Sequence, residues 1–193
     1  IPVTVAATRA ASAQELLARA RAVVSRMFAS GTTTLEAKSG YALEAAGERR
    51  LLEAAQALDR EGPASCVPTF FGTHEVPPEY AARREEYLRL VVEQMLPACR
   101  GLARFCDSGT AYPPAQTAAL YRAARAQGLG LKVHADEFRA WGGAELAAEW
   151  KAVSAEHCLC STDEGIRAMA QAGVIAGLLP AVPLVHRLPR AAD

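Results

Sequence analysis

The apolar positions of this chain switch between two spacings. Ser12-x-x-Glu15 has the form of a capping box, and behind it Leu16, Leu17, Ala20, Val23, Val24, Met27 and Phe28 recur at helical spacing. Gly31 stands where a helix-terminating glycine belongs. The next segment, "TTTLEAKSG" (32–40), reads as a strand, and Leu51, Leu52, Ala55 and Leu58 mark a second helix. "SCVPTFFG" (65–72) is strand-like although it contains Pro68, which belongs at a strand edge. Tyr80, Tyr87, Leu88, Val91, Val92 and Met95 give another amphipathic face, and "ARFCDSG" (103–109) a short strand. Pro113 and Pro114 open a helix that Gly128 closes. "LKVHADE" (131–137) then ends an apolar run, and a helix spans about 143–150. The stretch "AVSAEHCLC" (152–160) reads as a strand on which Cys158 and Cys160 alternate. A second capping box, Ser161-x-x-Glu164, opens a helix ending at Gly173, and "VIAGLLP" (174–180) is the last strand.

Six strands each separated by a helix imply right-handed βαβ crossovers and a parallel α/β sheet. An open doubly wound sheet and part of a (βα)₈ barrel both satisfy that pattern. No G-x-G-x-x-G or G-x-x-x-x-G-K-[ST] follows the first strand, which removes the commonest nucleotide-binding forms of the open sheet.

Composition narrows the function classes. The 193 residues are 51% hydrophobic, enough for one domain over 1–193 with a sizeable core. Lys+Arg and Asp+Glu are equal at 21 each, so nothing points to nucleic acid or a membrane surface. No apolar run approaches the roughly 18 residues of a membrane-spanning helix. The start, "IPVTVAATRA", has no Met, basic n-region or signal-like h-region and reads as the interior of a longer chain. Five cysteines without a C-x-x-C pair read as buried free thiols of a reducing cytoplasm rather than a disulfide framework.

In either architecture ligands bind at the carboxyl ends of the strands. Lys38, Ser39 and Tyr41 follow the first strand and His74 the second. Cys106 and Asp107 end the third, His134, Asp136 and Glu137 the fourth, and His157 the fifth. Of the four histidines, only His186, in a Pro-rich tail, is not at a strand end. Taken singly, each residue has an ordinary structural reading: a hydrogen-bonded histidine, a salt-bridged Lys38, a packing Tyr41, an Asp136 that caps a turn or helix. Three histidines on one face from separate strands point instead to a metal-dependent hydrolase, because neutral imidazole ligates zinc or iron. A carboxylate such as Glu137 can then move protons for a metal-activated water.

Longer motifs carry a resemblance. "GTTTLEAKSGYAL" (31–43), "TFFGTHEVPPEY" (69–80), "KVHADEF" (132–138), "GGAELAAE" (142–149), "AVSAEH" (152–157) and "LLP" (178–180) resemble, in that order, the imidazolonepropionase family of the amidohydrolase superfamily. The resemblance implies an incomplete TIM-type barrel, about six of its eight strands, and a reaction in histidine degradation. That reaction hydrolyses 4-imidazolone-5-propanoate to N-formimidoyl-L-glutamate with zinc or iron. It implies His134 as a metal ligand, Glu137 and His157 as catalytic residues, and Tyr41 and His74 as substrate contacts. The only partner implied is a small-molecule substrate.

The chain also departs from the family. It has no H-x-H pair, which the family carries on its first barrel strand, and no metal-binding Asp after "LLP"; Asp193 is no substitute. Ala42 stands where the family usually has Gly, which predicts a strained turn. The segment after "ARFCD" is shorter than the family norm, and "EHCLCSTDEG" is unlike it. The two absent strands are neighbours in a closed barrel, so the sequence predicts exposed sheet edges and self-association through them, as a homodimer or otherwise. Two other readings remain: a non-catalytic remnant that binds an imidazolone-like ligand, and another amidohydrolase such as a deaminase. The K-S-G-Y and T-H-x-V-P-P-E-Y motifs weigh against the latter.

Overall fold

A computed structural model describes residues 2–187; Asp193 lies outside the described residues. The chain groups into two compact units, Ile1–Cys106 and Asp107–Asp193, each built of parallel βα repeats. Among the described residues no helix is long and apolar enough to cross a membrane.

In the first unit, helices α1 (Pro2–Ala10), α2 (Ala13–Ala29) and α3 (Ala45–Glu61) accompany strands β1 (Thr34–Lys38) and β2 (Ser65–Thr73). The capping box at Ser12 is formed: the Ser12 side chain accepts from Glu15 N, and the Glu15 carboxylate accepts from Ser12 N. Gly31 takes φ +95°, a conformation nearly free of cost only for glycine. Strands β1 and β2 pair in parallel from Thr34↔Ser65 to Lys38↔Thr69. One hydrophobic cluster of this unit is Val24, Ala55, Leu58, Ala64 and Cys66, with Leu17, Ala20, Leu35 and Ala37 packed on it. These are the apolar helical stripes of α2 and α3 closing over the outer face of the strands.

Pro68 lies inside β2, not at its end. Ser65 N donates to Thr33 O, whereas Cys66 N turns the other way and is taken by the Asp59 carboxylate. Residue 68 has the same parity as Cys66, so its nitrogen also faces away from β1, and its carbonyl accepts from Arg104 N. The missing N–H therefore removes no bond from the β1–β2 ladder. Beyond β2 come a 3₁₀ turn (Pro78–Tyr80), α4 (Arg84–Leu90), a π-helical stretch (Val91–Met95) and α5 (Leu96–Ala98). Tyr87, Leu88, Val91 and Met95 are buried, as their spacing predicts.

Strand β3 (Phe105–Ser108) spans the boundary at Cys106. The second unit continues with α6 (Pro114–Ala126), β4 (Gly130–Ala135), α7 (Gly143–Glu149), β5 (Ser154–His157), α8 (Asp163–Ala172), β6 (Ile175–Gly177) and α9 (Ala181–His186). Strand β4 pairs with β5, and β5 with β6, all in parallel. Leu131, Val133 and Ala135 are buried on one face of β4, which leaves Lys132 and His134 on the other.

Two sequence expectations fail here. Ser161-x-x-Glu164 is not a capping box: Thr162 is the N-cap, accepting from Gly165 N, and the Ser161 hydroxyl is drawn off to the Asp136 carboxylate. Cys158 and Cys160 do not alternate on a strand, because β5 ends at His157 and both lie in the following loop. The free-thiol expectation stands: Cys66, Cys99, Cys106 and Cys158 are buried and Cys160 half-buried. Burial, then the Glu48 charge, push the Cys99 thiol up to about 12, and burial also raises Cys66 and Cys158. At neutral pH a thiol reagent should therefore label Cys160 promptly and the buried four only after unfolding. Peptide mass spectrometry reads this directly, and prompt labelling of Cys99 would contradict it.

Candidate active site

Strand parity places the polar residues of the second unit. His134 is opposite Glu156 in the β4–β5 register, and Lys132 opposite Ser154, so all four side chains line one face. Lys132 Nζ lies 2.9 Å from Glu156 Oε1, and the Ser154 hydroxyl donates to the same oxygen at 2.7 Å. Glu156 Oε2 is buried with no hydrogen-bond partner among the described residues. Asp107, fully buried at the end of β3, faces His134: its two oxygens are 3.3 and 3.2 Å from Nδ1. With the proton assigned to Nδ1, Nε2 is the atom that could ligate a cation, a carboxylate–imidazole arrangement like that found behind metal-binding histidines.

Asp107, His134 and Glu156 each offer a ligand atom, and these atoms lie within 4.8 Å of one another. One imidazole and two carboxylates are hard-to-borderline donors that suit a divalent cation such as zinc or iron. The unsatisfied Glu156 Oε2 gives an independent sign of fit, since a cation would satisfy a buried acceptor that is otherwise costly. Sequence reasoning noted Asp107 only as a strand-end residue and missed Glu156. Period-two alternation from His134, carried across a parallel register, is the signal that leads to Glu156.

Glu137 and His157 sit beside this group. The His134 and His157 rings are 5.2 Å apart between centroids, and His157 Nδ1 is 3.7 Å from Glu137 Oε1. Burial pushes the Glu137 carboxyl above the usual carboxylate range, and the charges of His134 and His186 draw it partly back. A raised carboxyl is a better proton carrier near neutral pH. The backbone is strained at this end: Asp136, His157 and Cys158 have φ of +49°, +73° and +55°. The Asp136 conformation is held by its own carboxylate, which accepts from Trp141 N, Gly143 N, Ala144 N and the Ser161 hydroxyl. Asp136 is thus the cap and turn residue of its structural reading, and it fixes the loop that carries Glu137.

In the first unit, Tyr41 and His74 come together. Their rings meet edge to face at 4.9 Å, His74 stacks on Phe71 at 4.5 Å, and His74 Nδ1 is 3.0 Å from Gly40 O. Lys38 is the salt-bridged lysine expected, 3.5 Å from Glu36, and also lies over the Phe71 ring. The turn is strained, but not at Ala42. Leu43 has φ +54°, while Ala42 is fully buried in ordinary backbone. Its methyl group is accommodated because residue 47 is glycine; a Cβ there would fall 2.3 Å from that of Ala42. An apolar cavity of about 610 Å³ lies behind this region, bounded by Leu16, Val23, Lys38, Tyr41 and Leu58, with no histidine in its wall.

Comparison with known proteins finds similar chains. The chain is 49% identical over 183 residues to an imidazolonepropionase of Symbiobacterium thermophilum, which covers 92% of this chain and 43% of that one. It is 44% identical to one from Alkaliphilus metalliredigens, with the same coverages, and 45% identical to one from Streptococcus gordonii, spanning 59% of the latter. The chain thus spans between 43% and 59% of the length of these curated relatives. No family model matches it. Among solved structures, a Klebsiella pneumoniae 5-methylcytosine deaminase with 5-fluorocytosine superposes at TM-score 0.72 and 14% identity, over 96% of this chain and 49% of that one. A Burkholderia multivorans N-isopropylammelide isopropylaminohydrolase gives 0.56 and 20%, over 83% and 43%. These likenesses show a shared fold.

Proposed function

We propose that this chain, related to the imidazolonepropionases over nine-tenths of its length, carries the proton-handling and substrate-contacting part of a cyclic-amide hydrolase. The substrate is 4-imidazolone-5-propanoate and the product N-formimidoyl-L-glutamate. The observation that carries the reading is the Asp107-backed His134 with Glu137 and His157 beside it.

Zinc or iron bound at His134 would supply an acidified water and polarise the lactam carbonyl. The roles of the chain's own residues follow from their placement. Asp107 holds the His134 Nδ1–H so that Nε2 faces the ligand. Glu137 takes a proton from the attacking water as its oxygen bonds to the carbonyl carbon. The ring C–N bond then breaks, and Glu137 returns that proton to the departing nitrogen. His157 stands by the carbonyl oxygen, where charge develops. Tyr41 and His74 contact the substrate. The four histidines contain no H-x-H pair, so we expect no turnover from residues 1–193 until a segment bearing such a pair is supplied.

Ile175 and Leu178, on and just after β6, are 65% and 53% exposed. We propose that the remaining barrel segments cover this edge in the assembled enzyme, and that without them copies associate through it. A reducing, cytoplasmic setting suits the free thiols.

The test is a chimera in which residues 1–193 replace the matching stretch of the Symbiobacterium relative, loaded with zinc or iron and assayed by loss of imidazolone absorbance. Turnover is expected, and Glu137→Gln should lower kcat about 10²–10⁴-fold with little change in metal content. A folded, metal-loaded chimera that binds the substrate without turning it over would support the non-catalytic reading instead.

A further inference from the structure

Glu48 was not singled out by its sequence, yet it is one of the most completely buried charged residues described, at 0% exposure. It lies in the first turn of α3, and its carboxylate points out of the helix into the turn after β1. Glu48 Oε2 accepts from Gly40 N at 2.5 Å, and Oε1 accepts from Ala42 N and Leu43 N at 2.9 and 2.8 Å. The backbone of residues 40–43 is therefore wrapped around one carboxylate, with Gly40 at φ +92° and Leu43 at +54°. Side chains cannot substitute at Gly40, because a Cβ would come within 2.7 Å of Phe71 O.

The residue skipped by these three bonds is Tyr41, which the wrapping turns outward. The carbonyl of Gly40, whose N–H the carboxylate holds, is the partner of His74 Nδ1 at 3.0 Å. One buried charge thus fixes both the departure of the Tyr41 side chain and the acceptor that orients the His74 ring. The same turn is gripped from its carbonyl side by Arg9 of α1. Arg9 Nε donates to Ala42 O at 2.7 Å, and its Nη2 reaches Glu79 Oε1 at 2.7 Å, in the segment following His74.

We propose that Glu48 is a positioning residue for the substrate contacts: it acts through Tyr41 and His74, with Arg9 as its outer brace. A carboxylate in the first turn of a helix is favourable for the helix alone, so a purely structural role is the alternative to be separated. Charge-assisted bonds to the Gly40, Ala42 and Leu43 amides give the turn a defined geometry that a neutral side chain does not reproduce. The inference rests on the reading of Tyr41 and His74 as substrate contacts.

The experiment uses the active chimera described above. Glu48→Gln keeps one acceptor oxygen but sets an NH₂ against the turn amides. It should raise KM at least tenfold while changing kcat less than threefold, the signature of lost binding geometry rather than lost chemistry. Arg9→Met, at a half-exposed position that threatens folding less, should raise KM about threefold. Combined with the double change Tyr41→Ala and His74→Ala, neither change should raise KM much beyond that double variant, because the effect passes through those two residues. KM effects that add fully to the Tyr41→Ala, His74→Ala double variant, or KM unchanged on Glu48→Gln and Arg9→Met, would overturn the proposal. Amide exchange separates this from failure of the substrate reading. If Tyr41→Ala and His74→Ala leave KM unchanged, the substrate reading falls. Faster exchange of the Ala42 and Leu43 amides in Glu48→Gln, with α3 still protected, would then support only the ordering of the turn. Unaltered exchange there would reject the positioning role outright.

Discussion

His134→Ala should lower the divalent-metal content of the metal-loaded chimera proposed above. The side chain is held on a rigid strand with Asp107 against Nδ1, and the ligand atoms of Asp107, His134 and Glu156 lie within 4.8 Å. Alanine removes the one nitrogen donor that residues 1–193 bring to this group. Asp107→Asn gives the scale: loss of the carboxylate behind a ligating histidine costs about 10–100-fold in metal affinity, and His134→Ala should exceed that. Metal content after dialysis, measured by mass spectrometry on the metal-loaded chimera, decides it. An His134→Ala protein that retains as much metal as the parent would remove His134 from the ligand set. A full loss of metal in Asp107→Asn would show that Asp107 binds the cation directly rather than orienting the ring.

The second large effect is on stability. Lys132 and Glu156 form an ion pair at 2.9 Å with side chains only 11% and 12% exposed. Lys132→Met leaves a carboxylate buried with only the Ser154 hydroxyl on Oε1 and nothing on Oε2 among the described residues. Breaking such a pair costs about 3–5 kcal/mol, which in a chain of this size lowers Tm by roughly 6–20 °C. Adding Glu156→Leu removes the stranded charge and should recover most of the loss, because an apolar pair of similar volume is often neutral or better. Thermal melts in the presence of a chelator isolate this from any metal effect. A Lys132→Met protein melting within about 2 °C of the parent would show that water, not Lys132, satisfies Glu156.

These two predictions draw on residues of unequal visibility in the sequence. His134 stood out as a histidine ending an apolar run. Lys132 and Glu156 did not, because each lies inside a strand segment and their pairing depends on which residue of β5 stands opposite which residue of β4. Asp107 was visible as a strand-end carboxylate, but its partner at 27 positions' separation was not. Glu48 looked like any exposed helical glutamate, since its partners belong to a turn that precedes the helix. Ser161 and Thr162 show the limit of local pattern even for caps. Both hydroxyls suit the N-cap, and the choice fell to Thr162 because the Asp136 carboxylate, 25 residues away, engages Ser161. The segment around Pro68 is the strand its pattern predicts, but the cost of the proline was not legible: it depends on which side its nitrogen faces, and that is set by the β1–β2 register.

The sequence by itself determined the βα alternation, the helix faces, the terminating glycines and the four residues at strand ends on which the functional reading rests: His74, His134, Glu137 and His157. Those follow from periodicity and from the conformational limits of Gly and Pro, which act over a few residues and so can be read along the chain. Only the tertiary structure decided which carboxylates matter. Asp107, Glu156 and Glu48 acquire their partners from strand register and from a turn folded back onto a buried carboxylate. A buried carboxylate must find donors wherever the fold brings them, and that search crosses sequence distances no local pattern records.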